Sequence, residues 1–136
     1  DGVDIASLAR QFDPALGFDA LFDPNLVKVL MGDKGNALYF SRSIIPYVRS
    51  TDWQHWLEKQ TFYTHVGIYA YRREVLRAIA SLPQSPLELA ESLEQLRWLS
   101  AGYTIRMAVT NEPTIGIDTP ADLEAAVEYL KQHPQE

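Results

Sequence analysis

Four short stretches of this chain carry side chains able to do chemistry, and each is open to a plainer reading. In FSRSIIP (Phe40 to Pro46), Arg42 stands at the end of an apolar run, before a proline that must end any strand. A guanidinium there suits an anion, above all a carboxylate gripped by paired N–H groups, and strand ends in open α/β sheets are where ligands bind. Taken alone, a surface ion pair is the commoner fate of such an arginine. In THVGIYAYR (Thr64 to Arg72), alternation puts Val66, Ile68 and Ala70 on one face of a strand and His65, Gly67, Tyr69 and Tyr71 on the other. The second face could stack on a sugar and hydrogen-bond to it, with Gly67 allowing close approach. It could equally be an aromatic core face.

In ELAESLEQLRW (Glu88 to Trp98), a continuous helix would place Glu91, Glu94, Gln95 and Trp98 on one face. Glu94 accepts hydrogen bonds when ionised and Gln95 both donates and accepts, a mixture suited to a polyhydroxylated ligand; a solvated helix face is the plainer alternative. In GIDTPADL (Gly116 to Leu123), Thr119 and Pro120 read as the cap and first residue of a helix, leaving Asp118 at the end of a loop. A carboxylate there can bind a hard cation such as Mg²⁺, or simply favour the positive end of the helix dipole. One aspartate is not a metal site, so a second carboxylate or substrate phosphates would have to complete it.

Several classes of function fit poorly. The sequence has no glycine-rich phosphate loop, nucleophile elbow or zinc-ligand spacing; His55 and His65 stand isolated and His133 lies in a tail. A net charge of −6 without a basic patch argues against nucleic acid or a membrane surface as partner, but not against a small anion held by one arginine. Without cysteine there is no disulfide framework or thiolate chemistry. No apolar run is long enough for a bilayer and none reads as a signal peptide, so the expected compartment is the cytoplasm.

The elements that must position these residues are legible in outline. A length of 136 residues with 46% hydrophobic and 22% charged residues suits one domain with a real core. Val3 to Ala9 reads as a strand, and Asp13 to Asp23 as a loop or short helix. Leu26 to Met31 and Ala37 to Arg42 form a hairpin around GDKGN. Tyr47 to Thr61, with Trp53 and Trp56, is expected to be a mobile loop or short helix. Val75, Leu76, Ile79 and Leu82 recur at helical spacing. Ser85, Pro86 and Glu88 spell a capping box for a helix running to about Ser100, with Leu89, Leu93 and Leu96 as its core stripe and Gly102 as its stop. Thr104 to Thr110 alternates as a strand, and Leu123, Ala126, Val127 and Leu130 give the last helix a buried face. Strands and helices are interleaved, so the class is α/β, in a single segment spanning residues 1–136.

Read in order, NLVKVLMGDKGNALYFSRSIIP, HVGIYAYR, SPLELAESLEQLRW and GIDTPADL resemble the C-terminal half of the 3-deoxy-manno-octulosonate cytidylyltransferases, the CMP-KDO synthetases, over roughly Val3 to Leu130. The resemblance implies a Rossmann-like nucleotide-diphospho-sugar transferase fold, a mixed sheet with flanking helices and a hairpin. It implies transfer of CMP from CTP to the anomeric hydroxyl of 3-deoxy-manno-octulosonate (KDO), with release of pyrophosphate, for lipopolysaccharide synthesis. It also implies Mg²⁺ dependence and a homodimer. Carried over by motif, Arg42, His65, Tyr69, Glu94 and Gln95 are implied KDO contacts and Asp118 a Mg²⁺ ligand. The N-terminal half, which in that family grips CTP and supplies a second metal-binding aspartate, has no counterpart here. The expectation is therefore a fragment that holds the sugar acid and the dimer contact, does not turn over CTP alone, and exposes unpaired sheet edges. Two other readings stay open: a cytidylyltransferase for another sugar acid such as sialic acid, which the FSR and LEQLR stretches disfavour, and a non-catalytic sugar-acid-binding or dimerisation module.

Overall fold

The computed structural model describes residues 2–112 and 120–132. Strand β1 (Ile5–Gln11) begins the sheet, and its alternation is visible in burial: Ile5, Ser7 and Ala9 point into the core while Ala6, Leu8 and Arg10 lie on the opposite, less covered face. Strands β2 (Lys28–Met31) and β3 (Ala37–Ser41) are the two arms of the expected hairpin, and β4 (Tyr63–Tyr71) and β5 (Ile105–Val109) complete a five-stranded sheet in the order β3-β2-β4-β1-β5. Strand β1 runs antiparallel to β4 and parallel to β5, so the sheet is mixed.

The two outer strands do not end in open edges throughout. The tip of the hairpin folds back on β5, where Met107 N donates to Gly35 O at 2.8 Å and Arg106 Nε donates to Asn36 Oδ1 at 2.6 Å. Gly35 turns here with φ 75°, a left-handed conformation that suits glycine. Part of the unpaired edge expected from the sequence is thus satisfied within the chain.

Helices α2 (Arg73–Ile79), α3 (Pro86–Glu91) and α4 (Gln95–Ser100) follow β4, and α5 (Pro120–Gln132) lies after β5. The principal core joins Ile5, Val29, Phe40, Ile79, Leu96 and Ile105, with Trp98 packed among them. A second, aromatic core joins Phe12, Leu21, Trp56 and Phe62. Of the two forms expected for Tyr47 to Thr61, a mobile loop or a short helix, the helix is present: α1 (Trp56–Lys59) forms there, and Trp56 is buried with its indole N–H donated to Thr51 O at 2.9 Å. Leu76, Leu89, Leu123, Val127 and Leu130, all expected on buried helix faces, are instead exposed, whereas Ile79, Leu93, Leu96 and Ala126 are buried as expected.

The largest departure is in the helix from Pro86 to Ser100. The capping box is present: Ser85 Oγ accepts from Glu88 N, and Glu88 Oε2 accepts from Ser85 N. The helix nevertheless stops at Glu91, where Ser92 adopts the left-handed conformation with φ 52°, and restarts at Gln95. Two long-range interactions explain the break. Glu88 forks onto Arg97, with Oε2 2.7 Å from Nε and Oε1 2.5 Å from Nη2. Nine residues along a straight helix would separate the two by about 13.5 Å, so the pair can meet only if the chain folds back. This pairing holds the Glu88 carboxyl below its usual range and raises the guanidinium of Arg97. Arg42 takes up the carbonyls that the break sets free.

Candidate functional site

Arg42 follows β3 directly, where the hairpin brings it against the end of α3. Its guanidinium donates to three main-chain carbonyls: Nε to Glu91 O (2.6 Å), Nη1 to Pro24 O (2.8 Å) and Nη2 to Ser92 O (3.2 Å). Its backbone N–H donates to Glu91 Oε2 at 2.9 Å. A guanidinium has five N–H groups, so one on each terminal nitrogen remains for a ligand. Charged donors of this kind suit a carboxylate. Arg42 is therefore a clamp on the helix break that keeps two N–H donors in reserve.

Beside it, Glu91 Oε1 accepts from Ser41 Oγ at 2.6 Å, and burial together with the nearby Glu91 carboxylate pushes the Tyr39 phenol above its ordinary range. Below lies Lys28, wholly buried, its Nζ donating to Leu26 O at 2.6 Å and Asp23 O at 3.0 Å. Burial pulls the Lys28 pKa down; nearby Asp23 and Glu91 oppose that pull and Arg42 adds to it. Lys28 thus secures the Asp23–Leu26 turn whose Pro24 carbonyl receives Arg42.

Glu94 and Gln95 follow the break. They are adjacent in sequence yet differ in environment: the Glu94 side chain is 66% exposed and 3.9 Å from Arg97, whereas Gln95 is buried. The single face expected for Glu91, Glu94, Gln95 and Trp98 does not exist, because Glu91 ends one helix and the others belong to the next turn of chain. Trp98 is a core residue, meeting Tyr69 and Tyr71 edge-on with ring centres 5.2 and 5.6 Å away.

Strand β4 carries His65 and Tyr69. It pairs with β1 as Ser7 to Tyr69 and Leu8 to Val66, which leaves Gly67 and Ile68 as a bulge of two. A slip of two preserves the alternation, so His65 and Tyr69 still share the inward face with Ser7. No protein backbone or side chain approaches Gly67 closely, since a Cβ built there would meet nothing within 4 Å and would stand in open space. The supposedly apolar outer face is also incomplete: Val66 is buried but Ile68 is exposed. His65 packs edge-on against Phe40 (4.9 Å) and lies 5.4 Å from Tyr69, and its Nε2 is 2.9 Å from Ser7 Oγ. Burial depresses its pKa to about 4, so the ring is neutral near pH 7. Burial also pushes the Tyr69 phenol well up, with the Tyr71 and Glu94 charges adding to that shift; Tyr71 is raised by burial and by Glu94. Neither phenol is ionised near neutrality.

The structure thus gathers Arg42, Glu94 and Gln95 around the break between α3 and α4, with Tyr69 beneath α4 and His65 beside Tyr69. Asp118 lies outside the described residues. Ser7, Lys28, Ser41 and Glu91 support the expected site residues; of these, sequence reasoning singled out only Glu91, and that as part of a helix face rather than as the partner of Ser41 and Arg42. In LVKVLM the alternation would send Lys28 to solvent, and only the carbonyls waiting for it in a preceding turn make its burial possible. Among the described residues no group of three or more His, Cys, Asp or Glu could hold a metal ion, and no helix is long and apolar enough to cross a membrane.

The chain is 55% identical over 132 residues to the 3-deoxy-manno-octulosonate cytidylyltransferase of Phocaeicola vulgatus, covering 97% of this chain and 52% of that protein. It is 53% identical over 133 residues to the enzyme of the same name from Porphyromonas gingivalis, covering 98% and 52% respectively. The chain therefore spans about half the length of the curated relatives it matches. Among solved structures, a CMP:2-keto-3-deoxy-manno-octonic acid synthetase complexed with CTP superposes with a TM-score of 0.83 at 42% identity, over 96% of this chain and 50% of that one. The fold is accordingly the α/β nucleotide-sugar transferase type expected. The sequence pattern of the cytidylyltransferases matches residues 5–106, from the first strand into the last, and the chain belongs to the cytidylyltransferase family.

Proposed function

We propose that this chain supplies the sugar-acid site of a CMP-KDO synthetase, as the C-terminal half of an enzyme that transfers CMP from CTP to KDO. The observation that carries this reading is the gathering of Arg42, Glu94 and Gln95 at one helix break, with Tyr69 packed on α4 and His65 beside Tyr69, in a chain about half identical to enzymes of that name. KDO offers one carboxylate and several hydroxyls. The two remaining N–H groups of Arg42 suit the carboxylate, exposed Glu94 accepts hydroxyl protons, and Gln95 can do either. Tyr69 and His65, both neutral near pH 7, contribute hydrogen bonds without adding charge.

Asp118 would hold Mg²⁺ together with substrate phosphates, since one aspartate alone makes no cage. Bound there, the metal would supply charge neutralisation at the α-phosphorus and help position the reactants. The rest of the reading follows the family: a cytoplasmic homodimer, with the exposed Tyr47 and Trp53 on the 860 Å³ cleft beside Phe18 and Trp56 as its candidate contact. Sedimentation of a Tyr47→Asp variant tests that contact; an unchanged dimer would exclude it.

Calorimetry with KDO and CTP added separately, with Mg²⁺ present, tests the assignment of this half. KDO is expected to bind the 136-residue chain and CTP is not. Tight CTP binding, or sialic acid preferred over KDO, would overturn the reading. His65→Ala is expected to weaken KDO binding, about tenfold for one lost hydrogen bond. Tyr71→Ala is expected chiefly to lower stability, because Tyr71 packs on Trp98 and Tyr69. The reverse pattern would show the strand to be misassigned.

A further inference from the structure

Ser7 lies on β1, 3% exposed, and is not among the residues that face the proposed ligand directly. Its hydroxyl has three neighbours: Ile68 O at 2.9 Å, Val66 O at 3.4 Å and His65 Nε2 at 2.9 Å. A serine hydroxyl has one proton to donate and two lone pairs. Both carbonyls can only accept. Ile68 belongs to the two-residue bulge that β1 leaves unpaired, and Ser7 Oγ is the donor directed at its carbonyl. If the proton went to His65 instead, a lone pair of Oγ would face Ile68 O at 2.9 Å with nothing between them. The arrangement without conflict sends the Ser7 proton to Ile68 O and has His65 Nε2–H donate to Ser7 Oγ.

We infer that Ser7 is a positioning residue that fixes His65 as the Nε2–H tautomer and so leaves Nδ1 as a hydrogen-bond acceptor turned to the ligand. The two ring nitrogens of a neutral imidazole have opposite roles, so settling one settles the other. Nδ1 makes no hydrogen bond to a described residue and is not sealed from solvent. Edge-on contact with Phe40 and the neighbouring Tyr69 restrain the ring from turning over. The depressed pKa agrees, because an imidazolium would donate from both nitrogens. A neutral ring accepting at Nδ1 selects a group that brings a proton, a hydroxyl, and disfavours a carboxylate, which has only lone pairs. Within the proposed function, on which this inference rests, His65 therefore reads a sugar hydroxyl and leaves the carboxylate to Arg42. The bulge and the tautomer share one device: the hydroxyl that satisfies Ile68 O also sets the chemistry of His65.

Long-range ¹H–¹⁵N NMR of the imidazole tests this on the chain as it stands. At pH 7, His65 is expected to show a protonated Nε2 and a bare Nδ1; a protonated Nδ1 would overturn the inference in the unmutated chain, whatever any variant does. Ser7→Thr keeps the hydroxyl and is expected to keep the tautomer. Ser7→Ala is expected to give a mixture, and an unchanged tautomer there would remove Ser7 from the account. On saturation with KDO, the Nδ1 resonance is expected to move as it accepts a hydrogen bond, and Ser7→Ala to weaken KDO binding about threefold to tenfold with Ser7→Thr close to the parent. KDO binding that leaves Nδ1 unmoved would overturn the ligand half of the inference. A correct tautomer with no KDO binding would count against the proposed function and leave the role of Ser7 standing.

Discussion

Arg42→Ala is expected to lower the unfolding free energy of this chain by about 2–3 kcal/mol, the range for losing hydrogen bonds from a charged donor where water can partly replace them. The effect is large for a residue at the surface because the guanidinium joins three segments. Its donors reach Pro24 O in the turn before β2, and Glu91 O and Ser92 O at the end of α3. Ser92 holds a left-handed conformation that a non-glycine residue adopts at a cost of about 1–2 kcal/mol, and Arg42 is among the groups that offset it. Arg42→Lys is expected to recover little of the stability. One ammonium keeps the charge but cannot match three carbonyls that a planar fork meets together. Urea unfolding measures both variants, and midpoints equal to the parent would show that the clamp is not needed. KDO affinity is expected to fall at least about tenfold in either variant, since a guanidinium–carboxylate contact is lost. Loss of affinity by Arg42→Lys beyond its loss of stability would separate the anion contact from the clamp.

The second large effect is a dependence of stability on pH that originates in His65. Its pKa is about 4 in the folded chain against an ordinary value of 6.5, because burial disfavours the charged ring. Between these two values the unfolded chain binds the proton and the folded chain does not. Stability therefore falls as pH drops from about 6.5 to about 4, by about 3 kcal/mol, and His65 adds no further change below that. Glu88 works in a different window. Its carboxyl is held below the ordinary value of 4.5 by Arg97, so its contribution is present above that value and is lost as pH falls through its depressed folded pKa. Urea unfolding at pH 7, 5.5 and 4.5 isolates the histidine, and His65→Gln is expected to flatten the slope in this range. A parent chain equally stable at pH 7 and 4.5 would show that His65 is hydrated enough to take up a proton in the fold. The neutrality of His65 also implies that its contact with ligand does not vary between pH 5.5 and 8.

The two effects concern residues whose importance was legible in the sequence and whose surroundings were not. Arg42 and His65 stand out by type and position, and the ordered motifs attach them to one family. Three carbonyls around Arg42, and a serine proton committed to a bulge beside His65, have no signature in the residues near them. The chain separations are 49 residues from Arg42 to Glu91 and 58 from Ser7 to His65. Leu89 and Leu76 show the same limit for packing. Both recur at helical spacing, which identifies a helix but not the width of the face its neighbours cover, and both are exposed.

Sequence alone determined the features whose causes are local. Alternation built β1 and β4, two glycines and a turn set the hairpin, and Ser85, Pro86 and Glu88 began α3 where expected. These depend on contacts within a few residues, where propensity and spacing act directly. Tertiary structure decided what long-range electrostatics imposed. Glu88 reaching Arg97 across nine residues breaks a helix whose local signals favoured continuity, and Arg42 captures the carbonyls so released. Lys28 is buried because a turn offers it two carbonyl oxygens. The candidate site gathers at that break, because a helix ending inside the fold presents main-chain oxygens and a change of direction where a continuous helix would present one face.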